Sequence, residues 1–357
     1  MHIQIIKLTS MGDLIHALPA LTDARNHYPD IRFDWVIDES FYEVATWHPS
    51  VQRVIKSAHR RWKRSWSKFF RSGEARQFYD DLNQQPVDFV LDAQSNLKSA
   101  LITRLCRQER RGLDRHSIRE SLAHFAYQKH FFVDKNQHAI QRQRELFAKA
   151  LGYSLPETPP DYGINLPPME QPSKLPTQPY LFFVHNASWT TKLWPNEFWQ
   201  ALIQQAHQRG FEIVLPSGNQ EEFERAQLLA DSNPTTHVLP RLSLTETAHW
   251  IRHAKGAICA DTGLCHLAAA LSVPSVSLYG PTDTALIGAT GKFQVHMTDN
   301  RFSCRPCYRR QCHHQAPPSE EAACMRSITP DSVWQTFLTL LHESQQLDIQ
   351  SINEEQV

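Results

Sequence analysis

Short apolar runs alternate with amphipathic stretches along most of the chain. IQIIKL (3–8), FDWVI (33–37), RVI (53–55) and FVLDA (89–93) are brief and rich in β-branched or aromatic residues, and predict strands. HALPALTDARNHY (16–28) and KSALITRLCR (98–107) carry apolar residues at helical spacing between or after them. This rhythm predicts a parallel sheet covered on both faces, whose strands must be apolar on each side. It stops at LPPMEQPSKLPTQP (166–179), where five prolines in fourteen residues exclude regular structure and suit a semi-rigid linker. YLFFVH (180–185), EIVLPSG (212–218), HVLP (237–240), GAICAD (256–261) and SVSLYG (275–280) then restart the pattern, with helical stretches such as NEFWQALIQQAHQRG and EEFERAQLLADS between them. A last amphipathic run, TPDSVWQTFLTLLHESQQ, opens on Thr-Pro, a helix-start signal, and a polar tail follows. The expected organisation is an α/β domain over 1–168, a linker over 169–179, a second α/β domain over 180–330, and a helix with its tail over 331–357.

A chain of 357 residues is long enough for two domains, each burying its own core, and a cleft between them is the expected place for a ligand. Lys plus Arg and Asp plus Glu both number 37, so no global charge favours a nucleic-acid partner and any electrostatic role must be local. MHIQIIKLTSMGD begins as a strand rather than as a signal peptide, and no window approaches the roughly 18 consecutive apolar residues of a membrane span. A cytoplasmic protein, soluble or bound to a membrane surface, is expected. Seven cysteines, an odd number, argue against a disulfide framework in such a compartment.

Ligands of open α/β sheets bind beyond the carboxyl ends of the strands, so polar residues directly after strands are the candidates. In TSMGDLIHALPAL (9–21), Thr9, Ser10 and Gly12 form a permissive turn and Asp13 stands where a helix begins. Asp13 reads either as the N-cap or as a general base for a hydroxyl nucleophile. HNASWTTKLWP (185–195) offers Ser188, Thr190, Thr191 and Lys192 to a diphosphate, although it lacks the glycines of a Walker A loop. In ADTGLCHLAAAL (260–271), Asp261, Thr262 and Gly263 begin a helix whose free N–H groups suit phosphate oxygens, and Asp261 suits sugar hydroxyls. His266 follows one turn later, either facing the ligand or packed in the core. LYGPTD (278–283) is a further strand-to-turn junction, whose Thr282 and Asp283 are placed to border the same cleft. HRRWKRSWSKFFR (59–71) interleaves Arg60, Arg61, Lys63, Arg64, Lys68 and Arg71 with Trp62, Trp66, Phe69 and Phe70. That suits an acidic lipid or glycolipid surface; RNA would call for an accompanying motif, and none is present. Cys304, Cys307, Cys312 and Cys324, spaced C-x2-C-x4-C-x11-C beside His313 and His314, either hold a structural zinc ion or pack as reduced thiols.

Together these segments resemble the bacterial lipopolysaccharide heptosyltransferases, a glycosyltransferase family that uses ADP-heptose. KLTSMGDLIHALPALTDAR, FDWVIDESF, DAQSNLKSALITRL, HNASWTTKLWP, ADTGLCHLAAAL and LYGPTD carry the likeness over nearly the whole chain, and the pairing of SMGD with DTGLxH is its most specific element. RRWKRSW and RELFAKALGYS are most similar to the type I branch, which adds the first heptose to the Kdo of Kdo-lipid A. The late cysteine cluster is more similar to branches acting on later core acceptors, type II among them. The resemblance implies the GT-B fold of two facing Rossmann-like domains and an inverting transfer that needs neither cofactor nor metal. It implies Asp13 as base, with Thr9, Ser10, Arg60, Arg61 and Arg64 on the acceptor side. Ser188, Lys192, Thr262 and Gly263 would hold the diphosphate, Asp261 and His266 would sit by heptose and phosphates, and Glu222 would hold the adenosine ribose. The implied partners are ADP-heptose, Kdo-lipid A or a related acidic glycolipid, and the cytoplasmic face of the inner membrane, without nucleic acid. Rivals are a nucleotide-sugar epimerase on the same fold and a non-catalytic nucleotide-sugar binding protein. An NAD-dependent oxidoreductase is disfavoured because the first turn reads TSMGD rather than G-x-G-x-x-G.

Overall fold

The structure is a computed structural model that describes residues 1–65, 71–169, 176, 178–231, 233–314 and 321–354, with side chains described as far as residue 347. The chain separates into two compact units, Met1–Asn165 and Leu166–Val357. The division falls just ahead of the proline-rich stretch, half of which lies outside the described residues. On either side of it the ends are tied down: Asn165 N donates to Trp47 O at 2.8 Å, and Pro167 O pairs with His249 Nε2 at 2.8 Å.

The first unit is built on β1 (His2–Ile6), β2 (Arg32–Asp38), β3 (Val51–Ser57), β4 (Phe89–Asp92), β5 (Arg110–Leu113) and β6 (Lys129–Phe131). These form one sheet in the order β3-β2-β1-β4-β5-β6, with every pairing parallel. Its helices are α1 (Met11–Ile15), α2 (Leu18–His27), α3 (Tyr42–Thr46), α4 (His59–Arg64), α5 (Glu74–Leu82), α6 (Leu97–Leu105) and α7 (Ala139–Leu151). The second unit repeats the scheme with β7 (Tyr180–Val184), β8 (Glu212–Ser217), β9 (Thr236–Arg241), β10 (Gly256–Ala260), β11 (Ser275–Leu278) and β12 (Gln294–Met297), ordered β12-β11-β10-β7-β8-β9. Its helices are α8 (Asn196–Gln208), α9 (Gln220–Ala230), α10 (Leu244–His253), α11 (Gly263–Ala270), α12 (Thr284–Ile287), α13 (Ala323–Arg326) and α14 (Pro330–Glu354). Each unit is therefore an α/β sheet in Rossmann order, with its first strand at the centre. The chain reverses its direction of travel across the sheet beside β1 and beside β7, which is where such sheets bind ligands.

The central strands are the apolar runs of the sequence. Every residue of β7 and β10 is buried, as are Ile3, Ile5 and Ile6 of β1. Strands β5, β6 and β12 were not evident from the pattern, because edge and near-edge strands need less apolar cover: RRGL and KHF carry charge, and β12 is only half-buried. The terminal helix is part of the second core, not an appendage. Val333, Trp334, Phe337, Leu340 and Leu341 of α14 pack with Trp194, Trp199 and Met325. Phe337 lies over β10 because Gly256 leaves room: a Cβ there would stand 2.5 Å from the Phe337 ring and 3.0 Å from Pro274 O. Gly256→Ala is expected to destabilise the second unit by ~1–3 kcal/mol through overpacking, seen as a lower midpoint in urea unfolding. An unchanged midpoint would contradict this packing.

Candidate functional site

In the first unit, β1 runs into a turn that places Asp13 over the carboxyl end of the sheet. Ser10, not Asp13, is the N-cap of α1, and Asp13 is the third helical residue. Its Oδ2 reaches back to accept from Ser10 N at 2.9 Å and Ser10 Oγ at 2.7 Å. The cap reading of Asp13 is thus corrected by one turn, and both Ser10 bonds fix the carboxylate's direction. Thr9 is half-buried, its N–H donating to Gln94 Oε1 at 3.0 Å, as Leu8 N does at 2.9 Å. Gln94 sits in the turn after β4, and that turn is organised by the buried Asp92, which accepts from Gln94 N, Ser95 N and Tyr127 Oη.

Asp13 borders a cavity of about 370 Å³ whose wall includes Lys7, His16, Gln94, Arg119, Lys135 and Arg142. Four cations around one carboxylate make this a site for an anion. Lys7 is 4 % exposed and donates to Ala93 O at 2.9 Å. Burial lowers its ammonium from 10.5 to about 8, with Asp13 and Asp92 pulling the other way. Burial likewise lowers Arg142, and Asp13 and Asp134 oppose it. None of these cations was singled out from the sequence; a lysine inside IQIIKL, a run otherwise suited to a buried strand, was the available signal.

The basic segment is in part self-satisfied. On α4, Arg61 bridges Glu74 at 2.9 Å and Glu39 at 3.3 Å, and Arg60 Nε lies 3.6 Å from Asp38 with its guanidinium over the Phe41 ring. Trp62 turns inward, donating to Glu74 Oε2 at 2.6 Å, while Arg64 is exposed. The arginines of α4 are not among the residues lining the Asp13 cavity. Trp66, Lys68, Phe69 and Phe70 lie outside the described residues.

In the second unit β7 and β10 are adjacent and in register, so the loops that follow them are neighbours. Lys192, ending a 3-10 turn after β7, puts Nζ 2.8 Å from Asp261 Oδ2 and 4.9 Å from the Trp189 ring centroid. Asp261 is 3 % exposed, and Thr282 Oγ1, from the turn after β11, donates to the same oxygen. Three junctions picked out in the sequence therefore meet at one carboxylate, although Asp261 is engaged by a lysine and a threonine rather than left open. Thr262 caps α11, accepting from Leu264 N at 3.3 Å, and Gly263 is its first residue. Ser188 is exposed. His266 is buried, 6 % exposed, and its ring lies among groups of which Asp261 and Cys265 place ligand atoms within 4.8 Å of it. Those three side chains have metal-ligand chemistry, but Lys192 already supplies the positive charge beside Asp261. Burial also pushes the Cys265 thiol up to about 12, so it is a neutral neighbour.

Glu222 closes the turn from β8 into α9: Oε2 accepts from Gly218 N at 2.8 Å, Oε1 from Asn219 Nδ2 at 3.1 Å, and Asn219 caps the helix by accepting from Glu222 N. The sequence did not reveal Arg225, which braces the same edge by donating to Asn196 Oδ1 and Trp194 O at 2.9 Å. Burial, reinforced by Arg225, lowers the nearby His185 to about 4 and keeps it neutral. Cys304, Cys307, Cys312 and Cys324 line a separate cavity that also includes Thr191.

Residues 75–316 match glycosyltransferase family 9 (heptosyltransferase). Over 322 residues the sequence is 45 % identical to lipopolysaccharide heptosyltransferase 1 of Pseudomonas aeruginosa, an alignment covering 90 % of this chain and 89 % of the relative. Two solved structures of E. coli heptosyltransferase WaaC are similar at 38 % identity. The complex with ADP gives a TM-score of 0.82, covering 95 % of this chain and 100 % of that one. The complex with ADP-2-deoxy-2-fluoro heptose gives 0.78, with 94 % and 98 % covered.

Two expectations follow from the geometry. Below about pH 8 Lys7 is charged in both folded and unfolded chains and its burial penalty is in force. Between about 8 and 10.5 the unfolded chain holds the proton that the folded one has released, so stability rises with pH through that window. The difference in urea-unfolding free energy between wild type and Lys7→Met is expected to change there by up to ~3 kcal/mol in favour of wild type. A flat difference would refute the burial of a charged Lys7. Lys192→Met leaves Asp261 buried without its cation and is expected to cost the second unit ~3–5 kcal/mol by thermal or chemical unfolding. A loss below 1 kcal/mol would mean the pair is hydrated.

Proposed function

The chain belongs to glycosyltransferase family 9, the heptosyltransferases, and on that premise we propose that its second unit handles the nucleotide-heptose while its first unit activates the acceptor. The reaction is the heptosyltransferase I step of lipopolysaccharide core synthesis; the type II assignment suggested by the cysteine cluster gives way to the likeness with type 1 relatives over most of the chain. The observation that carries the division of labour is the Lys192 ammonium, fixed by Asp261 beside the start of α11 at the carboxyl ends of β7 and β10.

A diphosphate leaving group gains charge as the glycosidic bond breaks. Lys192 and the first N–H groups of α11, with the Thr262 and Ser188 hydroxyls, supply preorganised compensation for it, and ADP is the leaving group that the WaaC complexes support. Asp261 orients Lys192 and leaves its other oxygen for the sugar. Asp13 takes the proton of the acceptor hydroxyl as that oxygen attacks the anomeric carbon on the face opposite ADP, so the product is inverted. Charge neutralisation by Lys192 means that no divalent ion is needed at the diphosphate. Any carboxylate is a far weaker base than the alkoxide of a sugar hydroxyl, so proton removal accompanies bond formation instead of preceding it.

The cations that share the Asp13 cavity support an acidic acceptor such as the Kdo of Kdo-lipid A, whose carboxylates they would neutralise. A membrane-surface location is supported by Leu101 on α6 with Leu122 and Phe125 in the 3-10 turn Ser121–Ala126, which are 70 %, 65 % and 69 % exposed. Among the described residues no helix is long and apolar enough to cross a membrane.

Incubation with ADP-heptose and Kdo-lipid A should give a product one heptose heavier without added divalent ion, and a heptosylated acceptor should not react. Asp13→Ala is expected to lower transfer by ~10²–10⁴-fold with ADP affinity unchanged, because the base acts on the acceptor. Wild-type turnover in that variant would overturn the role of Asp13, and loss of ADP binding would place Asp13 on the donor instead.

A further inference from the structure

Ten large apolar side chains stand strongly exposed among the described residues, and five of them fall in one short stretch: Leu97, Leu101 and Leu105 on α6, and Leu122 and Phe125 in the 3-10 turn Ser121–Ala126. Spacing by four puts the three leucines in one row along α6. The row is not the core face of the helix, because Ser99, Ala100, Ile102 and Thr103 are the residues that it buries. At about 100° of rotation per residue Arg104 flanks the row on one side and Lys98 on the other, and both are exposed. The run LKSALITRLCR (97–107) contains Lys98, Arg104 and Arg107 and no acid. The 3-10 turn packs beside α6, and Leu97 N donates to Glu120 Oε2 at 2.9 Å, so the leucine row and the exposed side chains of the turn are neighbours.

We propose that this patch is the membrane-docking face of the protein: the α6 leucines with Leu122 and Phe125 enter the headgroup region of a bilayer, while Lys98, Arg104 and Arg107 pair with the phosphates of anionic phospholipids. An apolar row bordered by cations is the pattern of a helix that lies in a bilayer surface, its long basic side chains reaching outward to the phosphates. A second copy of this chain fits worse, since a two-fold contact through the patch would set these cations against their own counterparts. The basic segment on α4, whose sequence suits a lipid surface, is less free to serve: Trp62 turns inward and Arg61 is already held by Glu39 and Glu74.

The patch lies close to the Asp13 cavity. Ser95, Ser117 and Arg119 line that cavity; Leu97 follows Ser95 by two residues and Leu122 follows Arg119 by three. Even fully extended, roughly 11 Å of chain at most separates wall from patch on either segment. A bilayer docked on the patch therefore brings the cavity to headgroup depth, where the saccharide of a membrane-anchored acceptor resides. This last step rests on the acceptor-side reading given above; the docking does not.

The test is co-sedimentation of the full chain with vesicles that contain no acceptor, made of phosphatidylcholine alone or with about 30 mol % phosphatidylglycerol. Wild type is expected to favour the anionic vesicles roughly ten-fold or more, and Leu101→Asn/Leu122→Asn/Phe125→Asn to lose that binding by roughly ten-fold. Because all three side chains are already exposed, the urea-unfolding midpoint of the variant should match wild type. Lys98→Gln/Arg104→Gln should remove the preference for anionic lipid, and a retained preference would overturn the role of these cations. Wild type that stays in the supernatant, or a triple variant that sediments like wild type, overturns the docking face. Self-association of wild type in sedimentation velocity, with the triple variant monomeric, assigns the patch to a second copy and overturns it as well. Transfer to Kdo-lipid A embedded in vesicles should fall roughly ten-fold in the triple variant, while transfer to the same acceptor stripped of its acyl chains keeps the wild-type rate. Equal loss on both acceptors overturns the link between docking and the cavity. Vesicle binding by wild type without transfer to Kdo-lipid A leaves the docking face standing and faults the acceptor-side reading instead.

Discussion

A carboxylate that is almost fully removed from water has to be matched, and Asp261 is matched by one ammonium from a different loop. That requirement organises the second unit. The carboxyl ends of β7, β10 and β11 lie side by side, and the loops leaving them converge because Asp261 draws Lys192 from one and Thr282 from another. The Coulombic gain within the pair is offset by the cost of desolvating both groups, so the pair contributes little net stability, but either partner alone would be costly. Its effect is positional: it holds a cation at the N-terminus of α11, where the backbone already favours an anion.

The two units share one topology and invert its electrostatics. At the switch point of the second unit a cation is presented and a carboxylate holds it from below. In the first unit the presented group is a carboxylate, Asp13, and the supporting group is a buried cation, Lys7, held by the Ala93 carbonyl. A displacement at a saccharide carbon needs these two halves: negative charge beside the nucleophile's proton, and positive charge beside the departing phosphate. Strand order fixes where the sites fall, and a few residues after β1, β7 and β10 decide their sign.

The central strands were legible because a parallel sheet covered on both faces needs uninterrupted apolar runs, and YLFFV and GAICA are such runs. The loops after them were legible for the same reason, since a strand's end is visible where its apolar run ends. Side-chain contacts across loops were not. Asp13 lies in the expected turn but yields the cap to Ser10, a competition between neighbours that composition does not settle. Glu222 completes a helix cap. Arg60 and Arg61 form an unbroken basic run in sequence, while their acids, Asp38, Glu39 and Glu74, come from other elements. Lys7, Arg119 and Arg142 reach a common cavity from distant segments, and no local pattern announces that meeting.

The seat of Phe337 over Gly256 has a consequence for how the protein is made. Ribosomes deliver a chain from its N-terminus, and the first sheet has all its strands once residue 131 has emerged. The second sheet has all of its strands by residue 297, yet its core still lacks Trp334, Phe337 and Leu340 until α14 is synthesised. A nascent or prematurely terminated chain that ends before α14 therefore carries a first sheet with all its strands and a second unit whose core is still open. On the proposed division of labour, nucleotide-sugar handling is the last competence that translation confers.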